Sequence, residues 1–481
     1  MTRHSRGERF IFPGALFCAV ASASSDRTRA CRAIDQPSLV RVVNCSEMAE
    51  YKLLFEHAGK TEYTTLKGYE NTGGFQALKK ALKGERQAVI DEIKASGLRG
   101  RGGAGFPTWI KWNGIPKEKK GPHYLICNAD EGEPGTFKDK QLMEETPFLL
   151  VEGMILAGFA TQADAGYIYI RGEFIDAAKA VRRAIDEAYA AGYLGRGIGG
   201  SNWNFDLYVH MGAGSYECGE ESALMSSLMG ERGMPRLKFP HAPLPTVAGA
   251  WERPTVINNV ETYACAPFIV SKGGAWYASL GASTKNSRGT KIFSVSGHVN
   301  KPGNYEIEFG TPLRELLEMA GGVKGGKLKA CVPGGSSVPI ITADDVEKAI
   351  IGYEEMSEVK SMVGSGGCMF LNEHTDIVTF IWRTSLFYAN ESCGKCTPCR
   401  EGTRWLLQIL ERIRSGGGQK GDIELLKEIC SQIDGRSFCG LGDAAAWPVA
   451  AALRVFPEEF EYFIEHGRSI VDSQPMAAML P

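Results

Sequence analysis

Apolar residues in this chain recur at helical spacing in some stretches and crowd into short unbroken runs in others. Over 75–96, Leu78, Ala81, Leu82, Val89, Ile90 and Ile93 fall three to four positions apart, and Gly84 predicts a break into two helices. The runs at 124–127, 166–170 and 207–211 are short, apolar and bounded by loop residues, as buried strands are. Between and after them, 147–160, 175–191 and 220–229 read as helices. Strands alternating with helices predict an α/β core. Residues 49–70 read as a short strand and a connecting loop.

The pattern changes near Gly289. Residues 291–299 and 303–308 read as strands joined by a turn, and 313–319 as a short helix, giving a small α+β module that ends near Asp345. From about Phe370 the periodicity is helical, over 377–389, 402–414, 423–433 and 444–466, as in a helical bundle with cysteine loops at its ends. The expected organisation is an upstream segment 1–47, an α/β domain 48–288, the module 289–345 and a helical region 346–481.

Composition narrows the class. With 43% hydrophobic residues the 481-residue chain is that of a soluble globular protein, long enough for about three domains. A formal charge of −2 leaves no bulk nucleic-acid footprint. No apolar stretch has the length and purity of a membrane span, so a membrane link is expected only through partner subunits. Of 13 cysteines, Cys127, Cys218, Cys265, Cys331, Cys368 and Cys430 are scattered and read as buried free thiols of a reducing compartment. Residues 1–47 run basic, then apolar, then small at Ser22-Ala23-Ser24, as a secretory signal does, whereas the remainder reads as a cytosolic cofactor protein. The preferred reading is a non-native or mis-assigned extension, with a targeting segment as the alternative.

The strongest chemical signal is Cys393-x-x-Cys396-x-x-Cys399 followed by Cys439 in a glycine loop. A cubane iron–sulfur cluster needs four thiolates, and a tight loop holds three corners while the chain returns with the fourth. Zinc more often takes two separated Cys-x-x-Cys pairs, and zinc or a disulfide is the alternative. Gly100, Gly102 and Gly105 match a dinucleotide fingerprint in spacing, but a helix precedes them and no acidic residue follows at the expected place. The loop from Gly100 through Arg101, Gly102, Gly103, Ala104 and Gly105 to Phe106 still offers exposed N–H donors beside cations, and Lys111 follows. Its bland reading is a surface loop.

Asn128, Asp130, Glu131 and Glu133 follow a buried strand directly, where α/β sheets bind ligands. Gly212, Gly214, Tyr216, Gly219, Glu220 and Glu221 follow another strand and open a helix, whose positive end attracts carboxylates. Capping alone would also explain the two glutamates. Ile257, Asn258 and Asn259 form a fourth element, either an amide contact for a ring system or a plain turn.

Together these motifs, at 100–112, 127–135, 212–221, 235–238, 254–262, 391–402 and 437–442, resemble the NADH- and flavin-binding subunit of respiratory complex I, the F subunit of NADH:quinone oxidoreductase. Soluble NAD-linked hydrogenases and formate dehydrogenases carry a similar chain as a diaphorase, which is the alternative function; the lack of a second cysteine cluster favours complex I. The resemblance implies an α/β flavin domain, a β-grasp-like (SLBB) module and a C-terminal helical bundle, with FMN, NADH and one [4Fe–4S] cluster. It implies that Gly102, Lys111, Asn128, Asp130, Tyr216, Asn258 and Asn259 surround FMN. Phe106, Glu133, Glu221 and Lys238 would contact NADH, and Cys393, Cys396, Cys399 and Cys439 would hold the cluster. Glu133 and Glu221 are the candidate catalytic carboxylates, in positioning and electrostatic roles. The implied partners are a thioredoxin-like [2Fe–2S] subunit and a large iron–sulfur subunit. The implied place is the cytoplasmic side of the inner membrane, peripheral and within a complex. The chain departs from the family pattern at Thr108-Trp109 and after Lys238, where it reads Phe239-Pro240-His241-Ala242-Pro243.

Overall fold

The structure is a computed structural model that describes residues 50–471. The segment 1–47 lies outside the described residues. Four parallel strands, β1 (Tyr124–Ala129), β2 (Ala165–Ile170), β3 (Asp206–Met211) and β4 (Thr255–Asn259), form one sheet in the order β3-β2-β1-β4. Leu125, Ile126 and Cys127 of central β1 are fully buried, which accounts for a run with no polar alternation. Strand β4 stands where a plain turn is one of the two readings, and it places Asn259 directly beside Asn128.

The helix Pro147–Thr161 is buried at every residue and packs along the helix Val260–Lys272 in the main core. A helix apolar all round has no solvent face, and it belongs inside. The break at Gly84 is present, between helices Gln76–Ala81 and Arg86–Ala95.

Among the described residues of 49–70 the expected strand is absent; that stretch holds a 3-10 turn, Thr61–Thr64, and a helix, Leu66–Asn71. The apolar Leu53–Phe55 run does not pair with a strand because a carboxylate takes its donors. Glu306 Oε2 accepts from the backbone N–H of Leu53 and Leu54 at 2.7 Å each and of Phe55 at 3.1 Å.

A second, mixed sheet contains β5 (Thr290–Gly297), β6 (Gly303–Glu308), β7 (Leu328–Val332), β8 (Ile341–Thr342) and β9 (Gly367–Asn372), in the order β6-β5-β9-β7-β8. The sheet therefore does not close near Asp345. Its middle strand, β9, arrives later, parallel to β5 and antiparallel to β7. The helix Leu313–Met319 seals one apolar side with Phe293, Cys331, Cys368 and Phe370.

Helices Ile377–Glu391, Thr397–Arg412, Asp422–Ile433, Gly440–Val455 and Pro457–His466 complete the chain. The expected single helix over 444–466 is two, because Pro457 lacks the N–H that continuation needs and starts a new helix. Among the described residues no helix is long and apolar enough to cross a membrane.

Candidate functional site

The carboxyl end of the parallel sheet opens on a cavity of ≈ 360 Å³, lined by Gly102, Asn128, Asp130, Glu133, Tyr216 and Asn259 among others. Gly103, Ala104, Glu131, Gly219 and Glu220 also line it, so eleven of the residues expected to bind cofactor meet there.

The glycine loop is held from behind. Gly100 N–H donates to Phe106 O at 2.8 Å, and Tyr353 O–H donates to Gly100 O at 2.9 Å. Gly105 has φ +62°, and a Cβ there would stand 2.7 Å from the Tyr353 ring, so no other residue fits. A Cβ on Gly102 would come within 3.1 Å of the Asn259 side chain. Arg101 turns away: its buried guanidinium donates to Tyr277 O–H at 3.1 Å and Arg288 O at 2.6 Å. It anchors the loop and does not reach the cavity.

The acidic residues after β1 divide by role. Glu131 caps the helix Lys138–Glu145, accepting from the N–H of Asp139 at 2.9 Å and of Lys140 at 3.1 Å. Glu133 accepts from Tyr216 O–H at 2.6 Å, Ser337 N–H at 2.7 Å and Ser336 Oγ at 3.3 Å. Burial pushes its carboxyl up, and Tyr216 pulls it partly back. Asp130 is different. Its Oδ2 is buried with no hydrogen-bond partner, and burial, opposed by Arg171, pushes its carboxyl up to about 7. An orphaned buried acceptor beside a glycine-lined floor fits a hydroxyl-bearing cofactor chain such as that of FMN.

Lys111, Glu221, Lys238 and Phe106 lie outside the cavity lining. Lys111 pairs with Glu221 at 3.0 Å, and Lys238 with Glu220 at 2.6 Å. Burial raises the Glu221 carboxyl, and Lys111 and Lys238 outweigh that and lower it. Glu220 caps the helix Glu221–Leu228, accepting from Ser222 N–H and Ala223 N–H. Phe106 is 46% exposed and stands 5.9 Å from the paired Lys111 Nζ, so its aromatic face is open to a ligand. Ile257 contributes its carbonyl to Lys111 Nζ at 3.2 Å. Asn258 points inward, accepting from Trp112 Nε1 at 2.9 Å. Gly212 makes room for Tyr169 and Gly214 for Glu173, so both serve the backbone turn.

Beside the cavity the cysteines come together. Cys396 stands at the N-cap position of the helix Thr397–Arg412 and Cys439 at that of Gly440–Val455, so two positive helix ends lie beside the thiols. Cys399, Leu441, Ala444, Ala445 and Tyr388 form one apolar cluster, with Cys396, Cys439 and Tyr216 packed against it. Phe438 N–H points at Cys396 Sγ at 3.4 Å, and Cys439 Sγ lies 3.3 Å from Glu217 Oε1. Burial pushes Cys399 up to about 11, so a cationic centre is what would ionise these thiols. Among the described residues no group of three or more His, Cys, Asp or Glu closes to the span of one metal ion. Four thiol donors in a three-plus-one spacing are the donor set that a four-iron cubane takes.

Sequence reasoning missed Ser336 and Ser337, which arrive from the second sheet's connections, and the buried quartet Lys138, Asp139, Glu261 and Lys291. Adjacent opposite charges at Lys138-Asp139, straight after the acidic loop, were the available signal. Glu217, buried against Cys439, was visible only as part of the glycine turn.

Fold and site define a flavin- and iron–sulfur-binding oxidoreductase component. Residues 93–267 match the family model described as Nuo51 FMN-binding domain, 291–379 the SLBB domain, and 379–463 the NADH-ubiquinone oxidoreductase-F iron-sulfur binding region. The F subunit of NADH-quinone oxidoreductase of Rickettsia bellii is 48% identical over 403 residues, 83% of this chain and 95% of the relative. NADH dehydrogenase [ubiquinone] flavoprotein 1, mitochondrial, of Dictyostelium discoideum is 48% identical over 401 residues, 82% of this chain and 83% of the relative. A crystal structure of NAD+-reducing [NiFe]-hydrogenase in the H2-reduced state matches with a TM-score of 0.72 at 35% identity, covering 81% of this chain and 63% of that one. The chain belongs to the family of NADH-quinone oxidoreductase F subunits.

Proposed function

We propose that this chain is the electron-input component of a respiratory NADH:quinone oxidoreductase, taking hydride from NADH and delivering single electrons to a [4Fe–4S] cluster. FMN bound in the cavity supplies the step between a two-electron donor and a one-electron acceptor. The observation that carries this reading is Tyr216. It lines the cavity, bonds Glu133 at 2.6 Å, and packs on the apolar cluster that holds Cys396, Cys399 and Cys439. Hydride and electron sites thus share one wall.

The geometry supports the following residue roles. Gly102, Gly103 and Ala104 let the backbone approach FMN, while Asn128 and Asp130 offer polar groups to it. Lys111, Asn258 and Ile257 support the floor from outside. Glu133 and Tyr216 position the nicotinamide end, and Phe106, Glu221 and Lys238 take the rest of NADH outside the cavity lining. Cys393, Cys396, Cys399 and Cys439 ligate the cluster. Residues 48–288 are the FMN/NADH domain, the β-grasp-like module starts at 289 and keeps β9, and the helical bundle carries the cluster.

The partners are a thioredoxin-like [2Fe–2S] subunit and a large iron–sulfur subunit, through which the chain attaches peripherally to the cytoplasmic side of the membrane. The hydrogenase likeness supports a second reading, a soluble diaphorase component. The test is anaerobic NADH titration of the purified chain and of its native complex. Flavin bleaching, a reduced-cluster paramagnetic signal and quinone-dependent turnover of the complex are expected. A colourless zinc protein would end both readings, and hydrogen-dependent NAD+ reduction by the complex would select the second.

A further inference from the structure

Behind Asn259 lies a buried ion-pair network that hydride transfer as described does not use. Lys138 Nζ stands 2.7 Å from Asp139 Oδ1 and 2.9 Å from Glu261 Oε2, and it donates to Asn259 Oδ1 at 3.3 Å. Lys291 Nζ lies 3.4 Å from the same Glu261 oxygen and donates to Ser365 O at 2.9 Å and Arg101 O at 3.3 Å. Asp139 Oδ2 accepts from Asn259 Nδ2 at 2.6 Å, and Glu261 Oε1 from Ile292 N–H at 2.9 Å.

No side chain of the quartet is more than 4% exposed. Four buried charges are costly to desolvate, and an apolar filling of equal volume is often as stable. Stability alone is therefore a weak reason for them. Their placement is specific: of the quartet, Lys138 and Asp139 line the cavity, together with Asn259. Both polar ends of the Asn259 amide are occupied, by Lys138 and Glu261 N–H on one side and Asp139 on the other. The amide is locked, and it meets the glycine loop at Gly102.

We propose that this network is a fixed-charge floor that sets the reduction potential of the flavin, with Lys138 as its positive and Asp139 as its negative pole. The inference rests on the cavity being the FMN site. Reduction adds an electron pair to the ring system, so a cation at the wall favours it and an anion opposes it. Charges buried this deeply act with little screening by water. Lys138 and Asp139 are positioning and electrostatic residues; they give and take no proton in the turnover.

The experiment is anaerobic spectroelectrochemical titration of the FMN-loaded full chain, with flavin content and cluster paramagnetic signal measured alongside. Lys138→Met is expected to shift the reduced-to-oxidised flavin ratio at fixed potential about tenfold toward oxidised, about 30 mV lower for two electrons. Asp139→Asn is expected to shift it a similar amount the other way, and Lys138→Arg to restore the wild-type value. The cluster midpoint should not move in any of them. Full flavin content with an unmoved potential, or both neutral variants moving the same way, overturns the proposal. Should Lys138→Met fail to fold, Asp139→Asn alone decides by the same criterion. A wild-type chain that binds no FMN would instead overturn the reading of the cavity.

Discussion

Asp130 and Glu133 stand three residues apart after one strand, and the fold treats them differently. Glu133 has three donors, whereas Asp130 Oδ2 has none. Burial raises the Asp130 carboxyl from 3.8 to about 7, so the native chain keeps a proton that the unfolded chain releases. That contribution is fully present below pH 4 and is lost as pH rises through 7, with a size on the order of a few kcal/mol. The flavin-free Asp130→Asn variant should therefore lose less stability between pH 5 and pH 8 than wild type does, as read by denaturant midpoints. Identical pH profiles would show that Asp130 is ionised throughout. Glu133→Gln should keep FMN but weaken the charge-assisted contacts at the nicotinamide end by about 1.5–3 kcal/mol. The apparent KM for NADH in ferricyanide reduction should then rise roughly ten- to a hundredfold. An unchanged KM with full flavin would place Glu133 outside the substrate site.

At the scale of elements, two helices set Cys439 and Cys430 apart as candidate fourth ligands. Cys439 stands at the N-cap position of the helix Gly440–Val455 and sits among Cys396, Cys399 and Glu217. Cys430 lies in the helix Asp422–Ile433, buried in the apolar core with Ile433 and Leu426. Cys439→Ala should abolish the reduced-cluster paramagnetic signal while FMN stays bound. Cys430→Ala should keep the signal and cost about 1–3 kcal/mol of stability through lost packing. The opposite pattern in the two spectra would reassign the fourth ligand.

Across the whole molecule, the second sheet holds the start of the first domain through Glu306, whose carboxylate takes three backbone N–H groups from Leu53–Phe55. All candidate site residues lie after Met48. A chain beginning at Met48 should bind FMN and reduce ferricyanide with NADH as the full chain does. A chain beginning at Lys60 leaves the buried Glu306 without those donors, and it should lose at least about 3 kcal/mol in denaturant unfolding. Equal midpoints for the two truncations would show that the clamp contributes nothing.

Local pattern was enough for some features. The three-plus-one cysteine spacing, the glycine loop, the carboxylates after Cys127 and most helices are written in short windows, because thiolate geometry, turn conformation and helical period are local properties. The rest depends on residues far apart in the chain. Leu53–Phe55 has the apolar look of a strand, but its donors belong to Glu306, about 250 positions later. Strand β9 enters the middle of its sheet after β8, an order that periodicity does not encode. Asn258 and Asn259 are adjacent and alike in sequence. The alternation of β4 sends Asn258 to Trp112 in the core and Asn259 to the cavity. Lys138 and Lys291 look like surface lysines until folding closes Asp139 and Glu261 around them, because a buried charge is tolerated only where distant chain supplies its partners.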